Sequence, residues 1–179
     1  APLVQPGEVL VANRYSLISA GTERMVMELA KKSLLGKARE RPDHVRRVLE
    51  KIRSEGLAST IRQVREKLDS PLPMGYSAAG VVLACGEGVH EYKPGDAVAT
   101  NGHHAEIVSV PKHLTARVPD GAPLDQASFA VLGSIAMQGF RLAEVSLGET
   151  VLVIGLGLVG QLAVALAKAA GCRVIGADP

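Results

Sequence analysis

The sequence is poor in aromatic residues, cysteine and net charge. Its 179 residues include no Trp, three Tyr and two Phe, which argues against the aromatic stacking surfaces that bind single-stranded nucleic acid. Twenty Lys and Arg against 18 Asp and Glu leave a net charge of +2, so charge gives no reason to expect a nucleic-acid or membrane partner. The only cysteines, Cys85 and Cys172, lie far apart in the sequence, and we expect two reduced thiols in a cytoplasmic protein.

The sequence also lacks an apolar run of the roughly 18 residues that a membrane span needs. Its longest apolar stretch, residues 151–170, is interrupted by glycines, Gln161 and Lys168. The first residues show neither a signal-peptide pattern nor an initiator Met. We therefore expect a chain that is a portion of a longer protein.

Periodicity and turn residues divide the chain into β-rich and helical parts. A strand is predicted over 8–19. Short strands separated by Gly and Pro turns are predicted over 80–85, 97–100, 104–110 and 116–118. Such strands are typical of a small barrel or sandwich. Helical periodicity predicts one helix from residue 23 to about 35 with Thr22 as its N-cap, and two amphipathic helices within 45–68. A helical stretch over 124–145 is followed by a β-α-β unit: a strand over 151–154, a helix over about 159–170 and a strand over 173–177.

A glycine-rich motif lies between the first strand and the helix of this unit. It reads Gly155-Leu-Gly157-Leu-Val-Gly160, and its position after a strand and before a helix is the context in which it binds a dinucleotide. Gly155 permits the tight turn, Gly157 lets the backbone approach a pyrophosphate, and Gly160 lets the helix pack on the strand. The amides of the first helical turn face the phosphates.

An acidic residue, Asp178, ends the second strand, 18 residues after Gly160. A carboxylate there hydrogen-bonds the ribose hydroxyls of NAD and repels the additional phosphate of NADP. We therefore expect NAD, with NADP the weaker ligand. The predicted cofactor-binding residues are Gly155, Gly157, Leu158, Val159, Gly160 and Asp178.

Five segments in this order resemble the medium-chain dehydrogenase/reductase family, which includes zinc alcohol dehydrogenases and quinone reductases. They are residues 19–23 (Ser-Ala-Gly-Thr-Glu), 74–82, 86–98, 105–111 and the glycine motif. The resemblance implies a mixed α/β and β fold, in which a GroES-like, partly open β-barrel with a helical insertion precedes the first βαβ unit of a Rossmann fold. It implies a GroES-like catalytic domain over 1–124, with the insertion at about 23–70, and a linker helix and truncated NAD(P)-binding domain over 125–179.

The sequence departs from the zinc-dependent members of that family. Ala20 and Tyr76 stand where those members carry a Cys and a His ligand, and Ala130 falls at the position of a further ligand. The structural lobe with four cysteines, which is expected after residues 96–98 in those members, is absent as well. Because Ala cannot coordinate zinc and Tyr is an unusual ligand, the resemblance implies a zinc-independent member.

Two residues are candidates for catalysis by resemblance. Thr22 matches the hydroxyl residue that relays a proton in the zinc members, although it would serve equally as a helix N-cap; Met25 replaces the relay histidine. Tyr76 would face the same cleft, where a phenol can donate a proton to a developing alkoxide or enolate, or it would fill the former metal site by packing. His103 is a candidate for lining the cleft, or belongs to a polar turn before a strand. Neighbouring side chains of a strand point to opposite faces, so His103 and His104 are not expected to bind one metal ion together.

The resemblance implies an NAD(P)-dependent oxidoreductase that transfers a hydride to or from a carbonyl, an alcohol or an activated alkene without catalytic zinc. The expected partners are a small-molecule substrate and either a second copy or a further oxidoreductase domain, with neither nucleic acid nor membrane. Two alternatives stay open: a non-catalytic nucleotide-binding or docking module, and a zinc-dependent alcohol or polyol dehydrogenase with displaced ligands. The helical insertion is either a lid or docking surface, or packs on its own barrel.

Overall fold

A computed structural model describes residues 2–31 and 73–178. The chain forms two compact units, one of Ala1–Ser19 with Met74–Pro179 and the other of Ala20–Pro73. The first unit contains strands β1 (Glu8–Ser16), β2 (Ala78–Cys85), β3 (Ala97–Thr100), β4 (Ile107–Pro111), β5 (Thr115–Arg117), β6 (Thr150–Ile154) and β7 (Arg173–Ala177). Its helices are α2 (Leu124–Ala127), α3 (Ala130–Leu142) and α4 (Leu158–Ala169), while α1 (Ala20–Lys31) belongs to the second unit. The two amphipathic helices predicted within 45–68 lie outside the described residues.

Strands β1 to β5 form an antiparallel sheet in the order β4-β1-β2-β3-β5. The two edge strands are consecutive in the sequence, and only a single 3-10 turn, Lys112–Leu114, separates them. Four residue steps reach at most about 14 Å, whereas the edges of a flat five-stranded sheet lie about 19 Å apart. The sheet is therefore strongly curled, as expected of a partly open barrel.

The core of the curled sheet consists of valine side chains, six of them on its strands and one, Val89, in the loop between β2 and β3. Alternate positions of β1 and β4 are buried, because successive side chains of a strand point to opposite faces. The buried valines are Val9, Val11, Val82, Val89, Val98, Val108 and Val110. Strand β1 ends at Ser16 and β4 begins at Ile107, so both strands are shorter than the sequence pattern predicts.

Helix α1 begins earlier than predicted. Its first residue is Ala20, which places Thr22 inside the first turn. The prediction that Thr22 is the N-cap is therefore wrong. The residue before the helix is Ser19, which is also of a type that favours the N-cap position.

The predicted β-α-β unit is confirmed. Strands β6 and β7 are parallel and joined by α4, and Thr150 pairs with Arg173 at one end and Ile154 with Ala177 at the other. One face of this pair is apolar and uncovered among the described residues, since Leu152, Ile154 and Ile175 are all more than half exposed. Parallel sheets are normally covered on both faces, so this face has the composition of a surface that packs against further structure.

The helical stretch predicted over 124–145 is divided into α2 and α3. Ser128, between them, is buried, and its hydroxyl donates to the carbonyl of Asp125. Helix α3 packs against α4, with Leu132 and Ala136 buried. This link connects the curled sheet to the β-α-β unit.

Candidate functional site

The glycine motif forms a tight turn between β6 and α4. Gly155 has φ +89°, in the left-handed region that favours glycine. Its amide donates to the carbonyl of Ala177 at 2.7 Å, which continues the β6–β7 pairing by one residue. The turn is thereby fixed to the carboxyl end of β7.

The other two glycines of the motif have different steric surroundings. A Cβ added to Gly160 would lie 1.9 Å from the carbonyl oxygen of Gly155, so α4 approaches the loop more closely than any side chain permits. A Cβ added to Gly157 would meet nothing within 4 Å. The loop is closely packed at its third glycine and open at its second, which is the arrangement that a bound pyrophosphate needs.

Helix α4 presents amides at this open position. Gly157 is the extended residue before the helix, and the amide of Gln161 donates to its carbonyl at 2.9 Å as the first helical hydrogen bond. The amides of Leu158, Val159 and Gly160 precede that bond, so the helix itself offers them no carbonyl acceptor. Such amides attract phosphate groups.

The carboxylate of Asp178 lies beside the same loop. Its Oδ2 accepts a hydrogen bond from the amide of Leu156 at 2.8 Å. The parallel register explains this contact, because pairing Ile154 with Ala177 brings the next residues of both strands together. The structure therefore brings all six residues predicted for cofactor binding to one end of the two-stranded sheet.

One residue of this site was missed by the sequence reasoning. The side-chain amide of Gln161 donates through Nε2 to the carbonyl of Leu156 at 2.9 Å. Its position directly after the third glycine, on the first turn of α4, was the only available signal. A glutamine on a helix surface is common, so the pattern alone did not distinguish it.

A second group of residues holds the backbone on both sides of Tyr76, just before β2. Gly75 has φ +87°, and a Cβ there would lie 2.8 Å from the ring and amide of His104. The amide of His104 donates to the carbonyl of Met74 at 2.8 Å. On the other side, the buried hydroxyl of Ser77 donates to the carbonyl of Ser128 at 2.5 Å.

The two adjacent histidines lie in a loop, residues 101–106, and not in a strand. The polar turn before a strand is therefore confirmed, and strand alternation does not apply to the pair, because the strand predicted from residue 104 begins only at Ile107. Nδ1 of His104 lies 2.9 Å from the hydroxyl oxygen of Ser16, whereas His103 is held through its carbonyl, which accepts from Nδ2 of Asn13 at 3.1 Å. Asn13 also donates to Ala105 at 2.8 Å, so one side chain of β1 fixes the loop that carries both histidines.

The remaining candidates are Thr22, Ala20 and Ala130. Thr22 belongs to the unit that contains α1. Ala20 and Ala130 are the first residues of α1 and α3. Within residues 2–31 and 73–178, no three side chains of His, Cys, Asp or Glu are grouped so as to hold a metal ion, and no helix is long and apolar enough to cross a membrane. Both cysteines are free thiols, as expected.

Comparison with known proteins supports the fold and shows which proteins the chain is similar to. Residues 48–120 match the alcohol dehydrogenase GroES-like domain. D-guloside 3-dehydrogenase of Escherichia coli K12 is 37% identical over 110 residues, which are 59% of this chain and 31% of that protein. These matches support the resemblance to the medium-chain dehydrogenase/reductase family.

Solved structures extend the likeness over almost the whole chain. An alcohol dehydrogenase superfamily protein from Novosphingobium aromaticivorans has a TM-score of 0.64 and 28% identity, over 98% of this chain and 46% of that one. The mycobacterial protein Rv1454c, solved with NADPH, has a TM-score of 0.67 and 25% identity, over 98% of this chain and 45% of that one. The expected fold class is confirmed, and the chain spans less than half the length of each of these relatives.

Proposed function

We propose that this chain is the GroES-like part and the first βαβ unit of an NAD-dependent oxidoreductase that works without catalytic zinc. Its chemistry would be hydride transfer to or from a carbonyl, an alcohol or an activated alkene. The chain would act within a longer polypeptide, as the uncovered apolar face of β6 and β7 and the length of its relatives suggest. Its partners would be a small-molecule substrate and either a second copy or a further oxidoreductase domain.

The observation that carries the proposal is the geometry of the glycine loop. Gly155 adopts a left-handed conformation, Gly157 is open, and Gly160 lies against the Gly155 carbonyl with no room for a Cβ. These three conditions fit a dinucleotide pyrophosphate held at the start of α4. The bound cofactor would supply or accept the hydride, and the loop would hold it by the amides of residues 157–160.

Asp178 supports NAD as the cofactor rather than NADP. Its carboxylate is held at the loop by the Leu156 amide, where it can accept a hydrogen bond from a ribose hydroxyl. The additional phosphate of NADP would meet this negative charge, and like charges in contact are strongly unfavourable. The similar mycobacterial protein Rv1454c was solved with NADPH. The preference of this chain between NAD and NADP is therefore the property to measure.

The donor set argues against a catalytic zinc ion. Two of the positions that carry ligands in zinc-dependent relatives hold Ala20 and Ala130, which have no donor atom, and a third holds Tyr76. Zinc sites in proteins are built from Cys, His, Asp and Glu. We therefore assign no catalytic step to zinc.

Polarisation of the substrate would then come from hydroxyl donors of the chain. The Tyr76 phenol would donate a hydrogen bond to the substrate oxygen as negative charge develops there. Gly75 and Ser77 hold its backbone from both sides, which is the rigidity that a proton donor requires. Thr22 is the second proposed donor.

The proposal is tested by titrating the 179-residue chain with NADH and NADPH while recording its backbone amide resonances. NADH should shift the amides of residues 155–160 and bind about tenfold or more tightly than NADPH. Absence of shifts at millimolar NADH both in this chain and in the longer polypeptide would refute dinucleotide binding by this loop. Equal affinity for both cofactors would refute the role of Asp178 and leave the loop assignment intact.

The catalytic role of Tyr76 is tested in the longer polypeptide. Tyr76→Phe removes only the phenolic hydroxyl and should lower kcat about 100-fold without changing NADH affinity. Full activity of this variant would exclude the phenol as donor. A complete lack of NADH-dependent turnover in the unmodified protein would favour a non-catalytic module.

A further inference from the structure

We propose that Gln161 is a positioning residue for the pyrophosphate, because it fixes the peptide that presents the Gly157 amide. This inference rests on the proposed dinucleotide binding. It assigns a function to a side chain that the glycine motif does not include.

Leu156 is held at both ends by side chains. Its amide donates to Oδ2 of Asp178 at 2.8 Å, and its carbonyl accepts from Nε2 of Gln161 at 2.9 Å. These contacts fix the two peptide planes that flank Leu156. The loop would otherwise be free to rotate there, because Gly155 and Gly157 on either side are the most permissive residues for backbone rotation.

The orientation of the second peptide determines where the Gly157 amide points. A trans peptide is planar, and its C=O and N–H bonds point in opposite directions. The carbonyl of Leu156 points toward Gln161, so the N–H of Gly157 in the same peptide points away from that side chain. A Cβ on Gly157 would meet no atom within 4 Å, which leaves room for a ligand to approach this residue.

Gln161 is suited to this task by its chemistry and its place in α4. A carbonyl accepts only from a donor, so the side-chain NH2 group must face Leu156. The backbone amide of Gln161 also donates to the Gly157 carbonyl at 2.9 Å. One residue of the first helical turn therefore fixes the carbonyls of two successive loop residues, and the loop is ordered before any ligand binds.

The test is Gln161→Met in the 179-residue chain, with NADH as the probe and backbone amide resonances as the readout. Methionine keeps the side-chain length and a good helix propensity but has no donor. We expect NADH to bind about threefold to tenfold more weakly, as for loss of one hydrogen bond, and the Gly157 amide to lose most of its ligand-induced shift. Gln138→Met is the matched control, since Gln138 is an exposed glutamine of α3, and it should bind NADH like the unmodified chain.

Each result distinguishes this inference from the proposed function. If the unmodified chain binds NADH and Gln161→Met binds it equally well, the positioning role is wrong and the proposed function stands. If the variant loses affinity while the amide resonances throughout α4 collapse, Gln161 holds the helix and does not position the peptide. If neither the unmodified chain nor the longer polypeptide shows shifts at millimolar NADH, the proposed function fails and the role of Gln161 fails with it.

Discussion

Substitution of Gly160 by alanine tests the close packing of α4 against the glycine loop. A Cβ at this position would lie 1.9 Å from the Gly155 carbonyl oxygen, whereas ordinary van der Waals contact begins at 3.4 Å. The separation must therefore grow from 1.9 to 3.4 Å, by 1.5 Å, and both partners are backbone. Neither can move away by changing a rotamer, so the loop or the start of α4 must shift.

Two opposing terms set the expected stability change. Crowding of this kind in a packed region costs about 1–3 kcal/mol, while replacing a helical glycine by alanine gains about 1 kcal/mol of helix propensity. Gly139→Ala isolates the second term, because Gly139 lies in α3 and a Cβ there would meet nothing within 4 Å. We expect Gly139→Ala to stabilise the protein by about 0.5–1 kcal/mol and Gly160→Ala to leave its stability unchanged or lower it by up to about 2 kcal/mol.

The measurement is urea unfolding of both variants followed by circular dichroism, together with NADH titration. Gly160→Ala should bind NADH about tenfold or more weakly, because a displacement of the order of 1 Å misplaces the amides of the first helical turn; Gly139→Ala should bind it normally. If Gly160→Ala is stabilised as much as Gly139→Ala and binds NADH normally, α4 does not pack on the loop as the structure shows. The loop would then not be a preformed pyrophosphate site.

Three further substitutions test other parts of the first unit. Asp178→Asn keeps an acceptor for the Leu156 amide but removes the charge, so the ratio of NADPH to NADH affinity should rise about tenfold in a competition titration. Gly75→Ala should lower the free energy of unfolding by about 1–3 kcal/mol more than Gly7→Ala, because both glycines have positive φ but only Gly75 lies against a side chain; equal losses would contradict the close contact. Hydrogen bonds from Lys112, the largest cause, and from the backbone lower the pKa of Glu91 to about 2. Because the pair is exposed, its contribution to stability is small; that contribution is present above about pH 4.5 and is lost as the pH falls through 2. Lys112→Met should therefore lose stability at neutral pH and approach the unmodified protein at acid pH in unfolding curves recorded at several pH values.

The β-α-β unit was predictable because its signals are local. Alternating and helical apolar patterns placed β6, α4 and β7 within one residue of their observed bounds, and the glycine motif identified the turn between them. The roles of Gly155 and Gly160 follow from steric limits that act over a few residues. Such features need no knowledge of the rest of the fold.

The surroundings of Tyr76 were not predictable because they depend on pairs far apart in the chain. The contact between His104 and Ser16 joins residues 88 positions apart, and that between Ser77 and Ser128 joins residues 51 apart. Neither pair has a sequence pattern. The start of α1 was missed for a different reason, since Ser19 and Thr22 are both good N-cap residues and the sequence does not decide between them.

The contact between Asp178 and Leu156 is intermediate between these cases. The motif predicts an acid at the end of the second strand, but its engagement with the loop depends on the register of β6 and β7. One consequence concerns cofactor preference. Because one carboxylate oxygen accepts the Leu156 amide, the carboxylate of Asp178 is held at the loop. Discrimination against NADP would then come from a charge that is already in place and not from a side chain that rearranges. Removing the charge while keeping the hydrogen bond should therefore be sufficient to weaken the preference for NAD.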